Sequence, residues 1–283
     1  MTIEETIRQA LREDIGDGDH SSMACVDPAI TGRMRLMSKD MGIIAGIEIA
    51  KLVFKEVDPA ITMEQFKEDG DEIKCGDIIF IVTGPARSML TAERTVLNFV
   101  QRMSGIATTT HKYVKQIEGT RARLIDTRKT TPNMRIFEKY AVKVGGGGNH
   151  RFGLYDMIML KDNHIDFAGG IENAIDKTRE YLDRNHLSLK IEIETRNIQE
   201  VIRVMAHGGV DRIMLDNFTP EQIESALKLI NGRYETEASG NITLSNIREY
   251  AETGVDYISI GALTHHIKSL DLSLKFIHII PQS

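Results

Sequence analysis

The sequence predicts an α/β protein of two units. Residues 1–104 read as a mixed α+β region. Residues 105–269 read as an incomplete α/β barrel of about seven strands, and 270–283 return to the first unit. Three observations predict this. Residues 61–90 alternate apolar and polar positions between Gly-Asp turns. Beyond Gly119, short apolar strands recur, most with room between them for a return helix. Polar residues and glycines close each of those strands.

The elements follow in order. Thr2 to Glu13 carries Ile3, Ile7, Ala10 and Leu11 at helical spacing, with Thr2 as N-cap. "GRMRLMSKD" reads as a strand and "GIEIAKLVFKEVD" as a helix. "ITMEQFKEDGDEIKCGDIIFIVTGPARSML" is a set of antiparallel strands joined by tight turns. "TAERTVLNFVQRMSGIATTTHKYVKQI" is a long helix that could break near Gly105. Seven strand candidates come next: "ARLIDTRK", "AVKVGGGG", "MIMLKDN", "IEIET", "RIMLDN", "YETEASGN" and "YISIGALT". "IENAIDKTREYLDRN" and "TPEQIESALKLIN" are return helices between them, as a parallel sheet requires. An open doubly wound sheet is the rival architecture. "SLDLSLKFIHIIPQS" alternates again, as a strand rejoining the first unit.

Bulk properties narrow the function. With 41% hydrophobic and 27% charged residues, the chain of 283 can bury a sizeable core. A net charge of -6 argues against non-specific nucleic-acid binding. Cys25 and Cys75 stand alone, without metal-ligand spacing, as thiols of a reducing compartment would. The acidic N-terminus lacks the marks of a signal peptide, and no apolar run approaches the roughly 20 residues of a membrane helix. The expectation is a cytoplasmic protein with no membrane partner.

In parallel α/β folds the C-terminal strand ends line the ligand site. Those ends supply Arg128 and Lys129, then Gly145–Gly148 with His150 and Arg151, then Lys161, Glu194 and Asp216. Ser239-Gly240-Asn241 and Gly261-Ala262 close the last two strands. Cations would thus face carboxylates and glycine-rich turns across one mouth, an arrangement suited to a small, multiply anionic ligand. The carboxylates could hold Mg²⁺ or sugar hydroxyls.

Each feature also has a plainer explanation. Four glycines can be a flexible loop or a close-packing site. Lys161 can be a strand-end lysine reaching solvent. Glu192 and Glu194 share a face of their strand, and an ion pair inside a barrel would explain them. "IMLKDN" and "IMLDN" can be helix-capping turns. His186, His207, His265 and His266 show no spacing signal and read as surface residues. The repeated placing of charge at strand ends favours the functional reading.

The blocks "TAERTVLNFVQRMSGIAT", "DTRKTTP…EKYAVKVGGGGNHRFGLYDMIMLKDNHI", "IEIE", "IMLDN", "EASGNI" and "YAETGVDYISIGALTH" resemble the quinolinate phosphoribosyltransferase family, in order from Ile15 to Leu274. The resemblance implies an N-terminal α/β sandwich, an incomplete barrel, and a homodimer, or a higher oligomer, with shared active sites. It implies condensation of quinolinate with phosphoribosyl pyrophosphate, with Mg²⁺, to nicotinate mononucleotide, pyrophosphate and CO₂. Carried over by motif, Arg94 (from the partner subunit), Thr127, Arg128, His150, Arg151 and Lys161 would bind substrate, chiefly the quinolinate carboxylates. Lys129, Glu194 and Asp216 would be catalytic and handle the phosphoribosyl donor, the two carboxylates through ribose hydroxyls or Mg²⁺. Ser239, Gly240, Asn241, Ile260, Gly261 and Ala262 would cradle its 5′-phosphate. Two departures stand out: Asn241 replaces a second glycine after "SG", and "GDGDHSSMA" differs from the commoner Gly-Asp-x-Thr-Thr form around His20.

Rival readings are a phosphoribosyltransferase of the same fold acting on another base without decarboxylation, a molybdenum-associated relative, and a non-catalytic binding protein. The density of cations favours a dicarboxylate over a monocarboxylate. "DGDEIKCGDIIFIVTG" has the hairpin rhythm of a biotinyl or lipoyl carrier but lacks the modified-lysine turn.

Overall fold

The computed structural model describes residues 2–280. The chain divides into two units: residues 2–111, 130–146 and 263–280 form the first, and 112–129 with 147–262 form the second. The sequence reading placed the borders at 104/105 and 269/270 instead. Pro281 to Ser283, the end of the expected last strand, lie outside the described residues.

In chain order the elements begin α1 (Ile3–Ile15), α2 (His20–Cys25), β1 (Thr31–Ser38), β2 (Gly42–Ile43) and α3 (Ile47–Val57). Next come β3 (Thr62–Gln65), β4 (Glu72–Ile73), β5 (Ile78–Pro85), α4 (Ala86–Gln116), β6 (Arg123–Ile125) and α5 (Arg135–Val144). Then follow β7 (Ile158–Leu160), α6 (Asp162–Ala168), α7 (Ile171–Asn185), β8 (Ile191–Thr195), α8 (Ile198–His207) and β9 (Arg212–Asp216). The last are α9 (Pro220–Ile230), β10 (Glu235–Ser239), α10 (Ile247–Glu252), β11 (Tyr257–Ser259), α11 (Ala262–His265) and β12 (Leu272–Ile280).

In the first unit, Thr2 caps α1 as expected. Its Oγ1 accepts the Glu5 N–H at 3.1 Å, and Glu5 Oε2 accepts the Thr2 N–H at 2.7 Å. Such a reciprocal box is worth about 1 kcal/mol. The sheet runs β12-β1-β5-β3, all antiparallel, so the chain's last strand pairs along β1 as the alternation predicted. Alternate β1 residues are buried, with Met34 and Leu36 facing the core, where Phe54 and Phe80 meet edge-to-face at 6.3 Å. The long helix does not break. α4 is continuous through Gly105, where a Cβ would sit 2.4 Å from the Lys268 carbonyl oxygen; the glycine admits a close approach.

One strand expectation fails. "AVKV" lies in α5, and the β-branched valines disguised a helix whose Phe137 and Ala141 are buried one turn apart. α5 belongs to the first unit, where Phe137 packs on Phe99 of α4 at 4.9 Å. Glu138, 1% exposed, accepts from Arg102 at 2.6 Å. The glycine run therefore starts as the C-cap of a helix, at Gly145, rather than as a strand end.

The second unit holds a parallel sheet of six strands, ordered β6-β11-β10-β9-β8-β7. This is the sequential ring of a barrel, opened between β6 and β7. One parallel bridge, Ile125 to Gly148, stands in the gap where a seventh strand was expected. Return helices α7 and α9 fall where their periodicity placed them. Among the described residues, no helix is long and apolar enough to cross a membrane.

Candidate active site

All the predicted site residues except Arg94 lie in the second unit, at or just beyond the C-terminal ends of its strands. Arg94 is an exposed residue of α4 in the first unit.

Thr127, Arg128 and Lys129 follow β6, and the Lys129 N–H donates to Thr127 Oγ1 at 3.1 Å. Arg128 is half-buried, and its Nε is buried with no hydrogen-bond partner among the described residues. Asp126, fully buried, fastens the neighbouring segment. Its Oδ1 accepts the His150 N–H at 2.8 Å and its Oδ2 accepts Asn149 Nδ2 at 2.9 Å. Arg151 comes next, with Nη1 donating to the Met157 carbonyl at 3.0 Å. Burial first, and then the like charge of Arg128, holds the Arg151 guanidinium below its ordinary range. Two guanidiniums that repel each other, one with an orphaned buried N–H, are stabilised by an anion placed between them.

Lys161 and Glu194 join the next two strands: Lys161 Nζ donates to Glu194 Oε1 at 2.8 Å. Lys161 is the N-cap of α6 without a side-chain cap bond, and Asp162 and Asn163 fall inside the helix, so capping by Asp or Asn does not explain "IMLKDN". Nor does it explain "IMLDN", because Thr219 caps α9. Asp216 ends β9, half-buried. Burial first, and then the charge of Glu194, raises its carboxyl above the ordinary range. Glu194 and Asp216 together offer carboxylate oxygens of the kind that suits a hard divalent cation.

The turn after β10 is shaped by Gly240, with φ 93°, where a Cβ would lie 2.2 Å from Asn217 Oδ1. Asn241 has φ 55°, in the left-handed region that asparagine and glycine adopt most readily. Asn241 thus takes a backbone conformation that a glycine would also accept. Ile260 extends the ladder beyond β11, its N–H bonded to the Ile125 carbonyl at 3.0 Å, and places Gly261 and Ala262 beside β6.

His150, expected among the substrate ligands, turns into the barrel. Its Nδ1 accepts the Arg151 N–H at 2.6 Å, while Nε2 lies 3.1 Å from Glu192 Oε2 and 3.5 Å from Glu237 Oε2. Glu192 and Glu237 are both fully buried, and burial pushes each carboxyl up to about 7. The trio offers three ligand atoms within 4.8 Å of one another. Arg212 already supplies countercharge there, with Nη1 at 3.0 Å from Glu237 Oε2 and 3.8 Å from Glu192 Oε2. The cluster is therefore an ion-paired barrel core. The ion-pair reading of "IEIE" holds for both glutamates, Glu192 with His150 and Arg212 and Glu194 with Lys161.

The family model for Quinolinate phosphoribosyl transferase, C-terminal domain, matches residues 106–275, and that for the N-terminal domain matches 19–104. The chain belongs to the quinolinate phosphoribosyltransferase family. It is 45% identical over 284 residues to "Quinolinate phosphoribosyltransferase [decarboxylating] 1" of Nicotiana glauca, covering 95% of this chain and 81% of that one. It is 42% identical to the "Probable nicotinate-nucleotide pyrophosphorylase [carboxylating]" of Bacillus subtilis, covering 97% and 93%. The crystal structure of NadC from Streptococcus pyogenes matches with a TM-score of 0.92 and 43% identity, over 98% of this chain and 97% of that one.

Sequence reasoning missed three residues that contact the predicted site residues or their neighbours: Arg212, Glu237 and Asn217. The alternation of "YETEAS" carried the same signal as "IEIE" and could have marked Glu237. Arg212 opens its strand, and only the sheet register, pairing it with Glu192 and Glu235, brings it to the carboxylates. Asn217 gave no signal apart from the motif.

Proposed function

We infer that this chain transfers the phosphoribosyl group of phosphoribosyl pyrophosphate to quinolinate and releases pyrophosphate and CO₂, forming nicotinate mononucleotide for NAD biosynthesis. The observation that carries this reading is the pair Arg128 and Arg151, one with an orphaned buried N–H and the other with its charge already disfavoured. A dicarboxylate relieves both.

Arg128, Arg151 and Lys161 hold the quinolinate carboxylates, with Arg94 contributed by the partner subunit of a homodimer. His150 acts on quinolinate through Arg151, whose N–H its ring accepts. Lys129, Glu194 and Asp216 take the donor, and the turns at Ser239–Asn241 and Ile260–Ala262 take its phosphate. Holding both anions at once offsets their mutual repulsion and aligns the ring nitrogen with the anomeric carbon. The bond to pyrophosphate breaks, and Glu194 and Asp216 stabilise the positive charge that develops on the ribose. The ring nitrogen becomes cationic on ribosylation. The C2–carboxylate bond then breaks, its electron pair is held beside that nitrogen, and C2 takes a proton from water.

Glu194 and Asp216 also fit Mg²⁺, which when bound neutralises charge on the departing pyrophosphate. The two free, exposed cysteines support a reducing, cytoplasmic location. Quinolinate labelled at the C2 carboxyl tests the reaction. Labelled CO₂ equal to the pyrophosphate formed is expected, and pyrophosphate without CO₂ would refute decarboxylation.

A further inference from the structure

We propose that Asn217 is a positioning residue that ties the Asp216 carboxylate to the turn at Ser239–Asn241, so that the carboxylate and the phosphate-binding turn move as one. The proposal rests on the reading of these residues as the donor site.

Asn217 occupies a position that few residues tolerate, with φ 58°, immediately after β9. The strain is held by bonds on both sides. Its N–H donates to the Ser239 carbonyl at 2.8 Å, which extends the pairing of Asp216 with Ser239 by one residue. Its side-chain Nδ2 donates to Asp216 Oδ2 at 2.8 Å. Its Oδ1 accepts Asn241 Nδ2 at 3.0 Å. A single side chain thus reads both the carboxylate that ends β9 and the turn that follows β10.

Gly240 completes the device. Any Cβ there would displace Asn217 Oδ1, so the glycine makes room for the bond between the two asparagines. Asn241 supplies a donor that a glycine at this position could not. Asp216 is half-buried at the end of β9, and the bond from Asn217 Nδ2 fixes the rotation of its carboxylate. Without the bond, the carboxylate can rotate away from Glu194.

Asn217→Asp and Asn241→Gly separate the two arms. Aspartate keeps the size and the tolerance for positive φ but sets an oxygen against Asp216 Oδ2. Glycine at 241 suits φ 55° and removes only the second arm. In steady-state assays with Mg²⁺, N217D is expected to lose about tenfold or more in kcat/KM for phosphoribosyl pyrophosphate. N241G is expected to raise KM for the donor about threefold. Quinolinate affinity, read by calorimetry without donor, should stay within about twofold of wild type for both. Should N217D fail to fold, Asn217→Gly removes both side-chain bonds at a permissive position, and at least the same loss is expected. Equal losses for donor and quinolinate, with a lowered Tm, would make Asn217 a general strut and overturn the proposal. Asp216→Asn is the control. If it is impaired while N217D matches wild type, the positioning role alone falls; if both match wild type, the donor-site reading falls with it.

Discussion

Lys161 Nζ donates to Glu194 Oε1 at 2.8 Å, so a residue assigned to quinolinate and one assigned to the donor share a bond. Lys161 is 45% exposed against 12% for Glu194, and a pair with its cation open to water stabilises the fold by about 1 kcal/mol. Lys161→Met should therefore leave Tm nearly unchanged while weakening quinolinate binding about tenfold or more. Calorimetric titration beside a thermal melt separates the two effects. A lowered Tm with wild-type affinity would assign Lys161 to structure instead.

The buried carboxylates Glu192 and Glu237 make stability depend on pH with a definite sign. Glu237 has its pKa raised from 4.5 to about 7 by burial and by Glu192, and it faces His150, Arg212 and Ser259. The folded state holds its proton more tightly than the unfolded state does. Its contribution is thus fully present below pH 4.5 and is lost as pH rises through about 7. Glu237→Gln cannot ionise, so over that window its Tm should fall less with rising pH than wild type's does. Parallel Tm curves for the two proteins would show that Glu237 is ionised throughout.

Much of this was legible in the sequence, for physical reasons that differ by element. The cap at Thr2, the alternation of β1 and the periodicity of α7 and α9 are local signals, and each element falls where its signal lies. The helix at Arg135–Val144 was misread because valines at 142 and 144 suggest a strand, whereas the Phe99–Phe137 contact decides its state. The mouth was legible because parallel strands deliver their C-terminal residues to one end. The inward turn of His150 was not, since its ring meets Glu192 and Glu237, which lie on later strands far along the chain. Asn217 depends likewise on a glycine in the following strand's turn.

Glu194 and Asp216 should make turnover depend on a divalent cation. Removal of metal by a chelator is expected to abolish activity, and Mg²⁺ to restore it. Asp216→Asn should need about tenfold more Mg²⁺ for half-maximal rate. Full activity in excess chelator would remove the metal from the account.

If Arg94 serves the partner's site, lesions in Arg94 and Lys129 should complement. Arg94→Ala and Lys129→Ala homodimers are each expected to be nearly inactive. Mixed equally and reassembled, half the dimers are hybrids with one intact site, so activity should recover to roughly a quarter of wild type. No recovery, with subunit exchange confirmed by mass spectrometry, would place Arg94 in its own chain's site.

The central claim is that paired cations select a dicarboxylate. Rates with quinolinate and with nicotinate, measured side by side with phosphoribosyl pyrophosphate and Mg²⁺, test it most directly. A site whose guanidiniums need two carboxylates rejects a ligand offering one, so nicotinate should react at least about a thousandfold more slowly. Quinolinate should yield CO₂ and pyrophosphate in equal amounts. Nicotinate turning over as fast as quinolinate, with no CO₂ from either, would contradict the account.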